Sequence, residues 1–569
     1  MTFTPALHPQ DSATQATATQ ATERPWLRHY LSGTSWEIPT DTYRNVLELM
    51  ESAFEAYADA PAQENLGKVM SYRQLEQQSR QLAAFFQARG LKPGDTLAIQ
   101  MPNVLQYAVT LLAGIRAGLR IVNINPLYTT TEMRGPLRSA RAKAIVILAN
   151  FADKLEQVLP ETEISLVLVT QVGDALGPLK GWLINLLLRH VKKLVPSYHL
   201  PRAISWRGAL REGANAHYQR PEVASDQTLF LQYTGGTTGV PKAADLTHGN
   251  IVANVLQCKA AFNTLSPGKE VLLAALPFYH IFGLTVNSLF MMHLGSKLVL
   301  ITNPRDIAAF IKVMRGCRFT MFTGLNTLFN ALMNHPEFSR IDFGPSKLFV
   351  AGGMALQQAV GQRWLELTGK PILEGYGLSE TSPVLCCNVP SQNVPGSIGQ
   401  PFPATDIAIL DSGGLRVPLG ERGEICARGP QVMRGYHERP DETAQVFTAD
   451  GWFRTGDIGT MDERGYVRIV DRLKDMILVS GFNVYPNEVE GVLMNHPDVK
   501  ECAVIGIPDP QSTEAVKACV VRKRDLLTDE ELIRHCRVSL TGYKVPKVVQ
   551  FYDELPKSNV GKILRRELR

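Results

Sequence analysis

Residues 229–242 read LFLQYTGGTTGVPK. The first five suit a short buried strand. Thr234, Gly235, Gly236, Thr237, Thr238 and Gly239 follow without a break, and Val240 and Pro241 lead to Lys242. Glycines let a backbone turn its amides inward and come close to phosphate oxygens. Threonine hydroxyls add donors and Lys242 adds a positive charge, so the stretch reads as a strand delivering a polyphosphate cradle. It is not the common GxxxxGK[ST] loop, because Pro241 separates Gly239 from Lys242 and Ala243 follows. A plain glycine turn would not need six consecutive Gly or Thr residues.

On both sides of this stretch, β-branched and aliphatic runs at 97–101, 144–148, 271–276, 319–323 and 348–351 alternate with amphipathic helical stretches. That alternation predicts α/β units with mostly parallel sheets flanked by helices. Leu356, Val360, Trp364 and Leu367 recur at helical spacing before Gly369 and Pro371, and are expected to face the core. After Trp452 a turn and an acidic loop precede a strand ending in Asp471, Arg472, Leu473 and Lys474, with one small domain's length remaining. The expected organisation is a disordered tail at 1–25, a large N-terminal domain at 26–472 and a small, mobile α+β C-terminal domain at 473–569.

The 569 residues are 45% apolar and 20% charged, enough for more than one core. With 59 basic and 54 acidic residues the net charge is +5, too balanced to imply a nucleic-acid binder. The eight cysteines show no CxxC or zinc spacing, which favours free thiols, a reducing cytoplasmic compartment and no structural metal. Residues 1–24 lack the apolar core of a secretory signal. The apolar segment 274–294 is interrupted by Pro277, His280, Gly283, Asn287 and His293, so a buried helix is expected there rather than a membrane span. Residues 181–200 (GWLINLLLRHVKKLVPSYHL) combine an apolar run with Arg189, Lys192 and Lys193, a composition suited to the inner membrane surface.

The glycine loop resembles that of the adenylate-forming acyl-CoA synthetase superfamily. Further segments extend the match in order: Pro277–Phe278–Tyr279–His280, EGYGLSET at 374–381, GWFRTGDIG at 451–459, DRLKDMILVSGFNVYPNE at 471–488 and PKSNVGKILRR at 556–566. From about Trp26 onward the chain is most similar to the bacterial long-chain fatty-acid-CoA ligases within that superfamily. The resemblance implies ATP, Mg2+ and coenzyme A as cofactor and co-substrates, and a fatty acid as substrate. A homodimer is compatible with it.

A carboxylate attacking an α-phosphate needs cations aimed at the reacting oxygens. By resemblance Lys562 is the adenylation lysine; alone it would read as a solvated lysine in a basic tail. Glu380 resembles the magnesium ligand, with Thr234 contributing an oxygen, and magnesium's preference for few protein ligands suits so sparse a site. Tyr376 and Gly377, from the motif that begins Glu374–Gly375, would flank the adenine, with Gly352 and Gly353 as the other wall. Ser379 stands where threonine is expected and keeps the hydroxyl for the α-phosphate. Asp457 would accept from the ribose hydroxyls, with Arg472 as its cationic companion. Lys474 matches the hinge on which the small domain turns, Gly481 lies in the loop presented to the pantetheine, and His280 resembles a gate at the acyl site. Apolar segments 278–284 and 323–332 would suit an acyl tunnel or equally a core.

Ala243 and Asp245 depart from the family pattern, which has glycine and an apolar residue there. Two other readings stay open: a non-catalytic fatty-acid carrier, and an enzyme passing its acyl-adenylate to a carrier protein or to oxygen.

Overall fold

The computed structural model describes residues 24–234, 241–558 and 563–569. Among them the chain forms four sheets. In the first, Arg120–Asn123, Thr96–Gln100, Ala142–Leu148, Leu166–Thr170 and Ile204–Ser205 run parallel, beside the antiparallel pair Thr228–Thr234 and Lys242–Thr247 and the two-residue edge strand Gly435–Tyr436. The second has a parallel centre, Ile372–Gly377, Leu348–Ala351, Met321–Gly324, Val271–Ala274, Lys297–Leu300 and Pro61–Asn65, with antiparallel strands at both margins. Parallel strands are covered on both faces and so read as unbroken apolar runs. In Thr96–Gln100 every residue is buried. Helices Tyr72–Ala88 and Leu105–Arg116 supply cover, the first started by a capping box between Ser71 and Gln74.

The fold class expected from the sequence is the one found. The helix Gln358–Thr368 buries Val360 and Trp364 and stops at Gly369, whose φ of +71° suits a glycine cap. The expected core stripe is corrected at its end. Leu367, in the last turn, is 49% exposed, because the core beneath Trp364 ends before the helix does. Segment 274–294 leaves its strand at Ala274 and continues as the buried π-helix Phe282–Phe290. No described helix is long and apolar enough to cross a membrane.

A third, antiparallel sheet joins Asp406–Leu410, Gly423–Arg428, Phe453–Met461 and Val467–Arg472. Trp26 is fully buried against its core, and Arg24, on the tail side of the expected boundary, pairs with Asp406 through two bonds of 2.6 and 2.8 Å. After Val467–Arg472 comes the turn Leu473–Asp475. Beyond it strands Ile477–Val479, Phe482–Val484, Val499–Asp509, Thr513–Arg522 and Val548–Phe551 form the fourth sheet. Helices Pro486–Met494 and Asp529–Ser539 cover it, with a core of their own around Val489, Leu493, Val504, Val516 and Leu532.

Candidate functional site

The strands Thr228–Thr234 and Lys242–Thr247 bracket the glycine loop, with Thr234 opposite Lys242 in register. Gly235, Gly236, Thr237, Thr238 and Gly239 lie outside the described residues, as does Lys562. Thr234 is half-buried, and the Lys242 ammonium sits 5.3 Å from the ring centroid of Tyr436. The turn carrying His280 is tied to the incoming strand, because Gln232 Nε2 donates to Tyr279 O at 3.1 Å. His280 itself is half-buried, and its Nδ1 accepts from Phe282 N at 3.4 Å.

One wall of the site is interlocked. Tyr376, on Ile372–Gly377, is buried, and its hydroxyl donates to Asp457 Oδ2 at 2.6 Å. Arg472 Nε lies 3.4 Å from Asp457 Oδ1, and the two residues are register partners on neighbouring strands. Oδ2 of Asp457 therefore accepts from the phenol and Oδ1 faces the Arg472 cation, while each oxygen keeps a lone pair for a ligand. Gly377 is demanded by the protein itself: a Cβ there would lie 1.8 Å from Pro383 O. Gly352 and Gly353 follow Leu348–Ala351, and a Cβ on Gly352 would meet the Phe282 ring at 2.7 Å. Gly375 sits between Glu374 and Tyr376 on the same strand. Glu374 accepts Gly396 N at 3.0 Å, and burial pushes its carboxyl up to about 7.

Ser379 and Glu380 occupy the short 3-10 turn Ser379–Thr381. Glu380 is buried, which pushes its carboxyl up from the usual range. The Tyr436 hydroxyl donates to its Oε1 at 2.9 Å and opposes that rise, as does the Arg472 cation. A single buried carboxylate with its own donor suits a hard cation that keeps most of its waters. Among the described residues no three or more His, Cys, Asp or Glu side chains gather as a metal cage. Glu380 and the Thr234 hydroxyl are the groups that would hold magnesium.

Lys474 is exposed in the Leu473–Asp475 turn, two residues beyond Arg472. Gly481 is exposed between Ile477–Val479 and Phe482–Val484 with φ of +84°, and nothing lies within 4 Å of where a Cβ would project. Its glycine answers a backbone conformation that L-residues rarely adopt. The acyl segments have partners already. Phe278 and Leu284 belong to the first core, and Phe329 and Leu332 to the second. The sequence reading missed Tyr436 and Arg434. Only the bulky aromatic after Gly435 hinted at the first, and nothing local hinted that Arg434 faces Asp245.

Two helix-covered, mainly parallel sheets joined to a smaller terminal lobe place the chain in the fold class of the adenylate-forming ligases. The chain belongs to the AMP-binding enzyme family, which matches residues 50–437, with the AMP-binding enzyme C-terminal domain matching 488–562. Within it, the long-chain-fatty-acid–CoA ligase of Yersinia pestis is 52% identical over 550 residues, covering 96% of this chain and 98% of that one. The ligase of the same name from Salmonella typhimurium is 52% identical over 547 residues, 96% and 97% of the two chains. The crystal structure of ATP-bound MatB from Rhodopseudomonas palustris superposes with a TM-score of 0.79 at 29% identity, covering 92% of this chain and 98% of MatB.

Proposed function

We propose that the protein is a long-chain fatty-acid-CoA ligase: fatty acid and ATP give acyl-AMP and pyrophosphate, then coenzyme A displaces AMP to give the thioester. The observation that carries this is the meeting of the Tyr376–Asp457–Arg472 wall and the Glu380–Tyr436 pair beside the strands that bracket the glycine loop. Near-full-length relatives named as such ligases supply the substrate class.

In this reading Tyr376 stacks on the adenine, with Gly352 and Gly353 opposite, Asp457 takes the ribose hydroxyls and Arg472 balances its charge. The glycine-loop amides, Thr237, Thr238, Lys242 and Ser379 hold the phosphates. Magnesium, when bound to Glu380 and Thr234, neutralises phosphate charge. The fatty-acid carboxylate attacks the α-phosphorus, the bond to pyrophosphate breaks, and the Lys562 ammonium stabilises the charge that develops. The unit 473–569 then turns at Lys474, withdrawing Lys562 and bringing the loop around Gly481 to the pantetheine passage, while His280 gates the acyl site. The coenzyme A sulfur attacks the acyl carbonyl, its proton goes to water and AMP leaves. Closure around the adenylate keeps water out.

We also infer that the protein is cytoplasmic, resting on the inner membrane through residues 181–200. Trp182, Val191 and Leu194 are 58, 64 and 55% exposed there, and Arg189, Lys192 and Lys193 stand among them. Apolar side chains projecting beside cations suit an anionic interface. Salt-sensitive sedimentation with anionic vesicles is expected, and its absence would overturn that placement.

The catalytic reading is tested by incubating the purified protein with ATP, magnesium and fatty acids of graded length, with and without coenzyme A. Thioester formation supports it; adenylate alone favours transfer to another acceptor; binding without pyrophosphate release favours a carrier.

A further inference from the structure

Asp245 is the charged departure just after the glycine loop, and the fold gives it a partner. Its carboxylate is buried; Arg434 Nη2 donates to Oδ2 at 2.5 Å and to Thr228 Oγ1 at 2.8 Å. Oδ1 is buried with no hydrogen-bond partner. Arg434 is itself exposed, so the pair adds little net stability, yet removing the arginine strands the buried carboxylate. Its use here is geometric. It joins Lys242–Thr247 to the edge strand Gly435–Tyr436, in the register Gly435 opposite Asp245 and Tyr436 opposite Ala244. The backbone adds Arg434 N to Asp245 O at 3.1 Å and His437 N to Ala243 O at 2.9 Å. So short a strand has few ladder bonds, and a slip of one residue would turn Tyr436 to the opposite face.

That register decides where the Tyr436 hydroxyl goes. It donates to Glu380 Oε1, while Met433 N, from the same segment, holds Glu380 O at 2.7 Å. The Lys242 ammonium over the ring adds a third tie, between the end of the glycine loop and the phenol. We infer that Tyr436 is a positioning residue for the Glu380 carboxylate, aimed at it by the pairing of the buried Asp245 carboxylate with Arg434. The inference rests on the reading of Glu380 as a magnesium ligand. A carboxylate steadied through one oxygen presents the other in a fixed direction.

The test follows pyrophosphate release against magnesium concentration in the full-length protein, at saturating ATP and fatty acid, with melting temperatures alongside. Tyr436→Phe is expected to raise the magnesium needed for half-maximal rate about tenfold, the scale of one hydrogen bond to a charged group, with the melting temperature kept. Arg434→Leu should shift it in the same direction. Combining Arg434→Leu with Asp245→Leu should bring it back, because an apolar pair leaves no stranded charge. Glu380→Gln is the control on the premise. A strong magnesium effect of Glu380→Gln together with a wild-type curve for Tyr436→Phe would overturn the positioning role alone. A Tyr436→Phe defect equal at every magnesium concentration would also overturn it, as the mark of a merely structural residue. If Glu380→Gln leaves the magnesium curve unchanged, the ligand reading falls and this inference with it.

Discussion

The Tyr376–Asp457–Arg472 wall and the terminal segment of the small lobe are held in opposite ways. Tyr376, Asp457 and Glu380 are buried, and each is locked to a neighbour from another strand or turn of the large lobe. The segment that follows Lys562 is held by its own lobe: Arg565 reaches Asp475 at 3.1 Å, Asn487 at 2.9 Å and Glu490 at 2.8 Å. Before it, Lys557 pairs with Glu501 at 2.9 Å and bridges to Ile563. Between the lobes the ties include Asn487 N to Asp471 Oδ2 at 2.7 Å and Arg422 over the Tyr485 ring at 5.0 Å. Groups that must stand still are built into a core, where they cost no reorganisation when charge develops. A group wanted for only one half-reaction can ride on a separate core that moves as a unit.

The largest effect should come from breaking the riding half. Lys562→Ala is expected to slow pyrophosphate release by roughly 10²–10³-fold, the cost of losing one group that stabilises developing charge. Thioester formation from supplied acyl-adenylate should fall much less, as single-turnover assays of the two steps would show. Equal losses would mean that the lysine serves both steps and the contrast between the halves is wrong.

Breaking the fixed half should do less to rate and more to stability. Asp457→Ala removes the acceptor of the buried Tyr376 hydroxyl and the anion facing Arg472 together. A loss of about 1–3 kcal/mol in denaturant unfolding is expected from the stranded phenol, with a rise in KM for ATP. Tyr376→Phe in the same background should return much of the stability without restoring KM. If it returns neither, Tyr376 and Asp457 do not act as a pair.

How much of this the sequence discloses depends on how local the cause is. The parallel strands were legible because burial on both faces leaves an apolar run, as at 144–148 and 348–351. The glycine loop's flanks and the EGYGLSET strand were legible because short motifs carry their chemistry within a few residues; Asp457 and Arg472, which meet across two strands, were named together only through the family resemblance. Arg434 opposite Asp245 was not, since the two lie 189 positions apart and meet only through strand pairing. Tyr436 was hidden for the same reason. The core role of Phe329 could not be told from a tunnel lining, because both require the same apolar side chain. At Gly481 the structure shows a φ of +84° and no crowding, a backbone cause that the residues around it did not disclose.

Gly481 separates the demands of the two half-reactions. Gly481→Ala and Gly481→Leu share the same backbone strain, about 1–3 kcal/mol for a residue forced into that region, and differ in bulk. If the loop serves only the second half-reaction, pyrophosphate release should be kept in both. Thioester formation should fall on the order of tenfold further in Leu than in Ala, the equivalent of about 1.4 kcal/mol in the barrier. Identical behaviour of the two variants would leave strain as the whole effect and remove Gly481 from the passage.

The smallest effect concerns what the fixed wall costs the fold. Glu374 is raised by burial to about 7, so between its ordinary range and that value the native state binds a proton that the unfolded chain has released. The stability this proton contributes is complete in acid below the ordinary range and is lost as pH rises toward about 7; above that the buried anion weakens the fold by a constant amount. Glu374→Gln keeps an oxygen for Gly396 N and never ionises. Without nucleotide it should therefore melt a few degrees higher than wild type at pH 8, with the two curves converging near pH 5. A gap that is independent of pH, or one that opens toward acid, would show that Glu374 is ionised in the native wall throughout, its charge sustained by the backbone donors and the Arg468 cation around it.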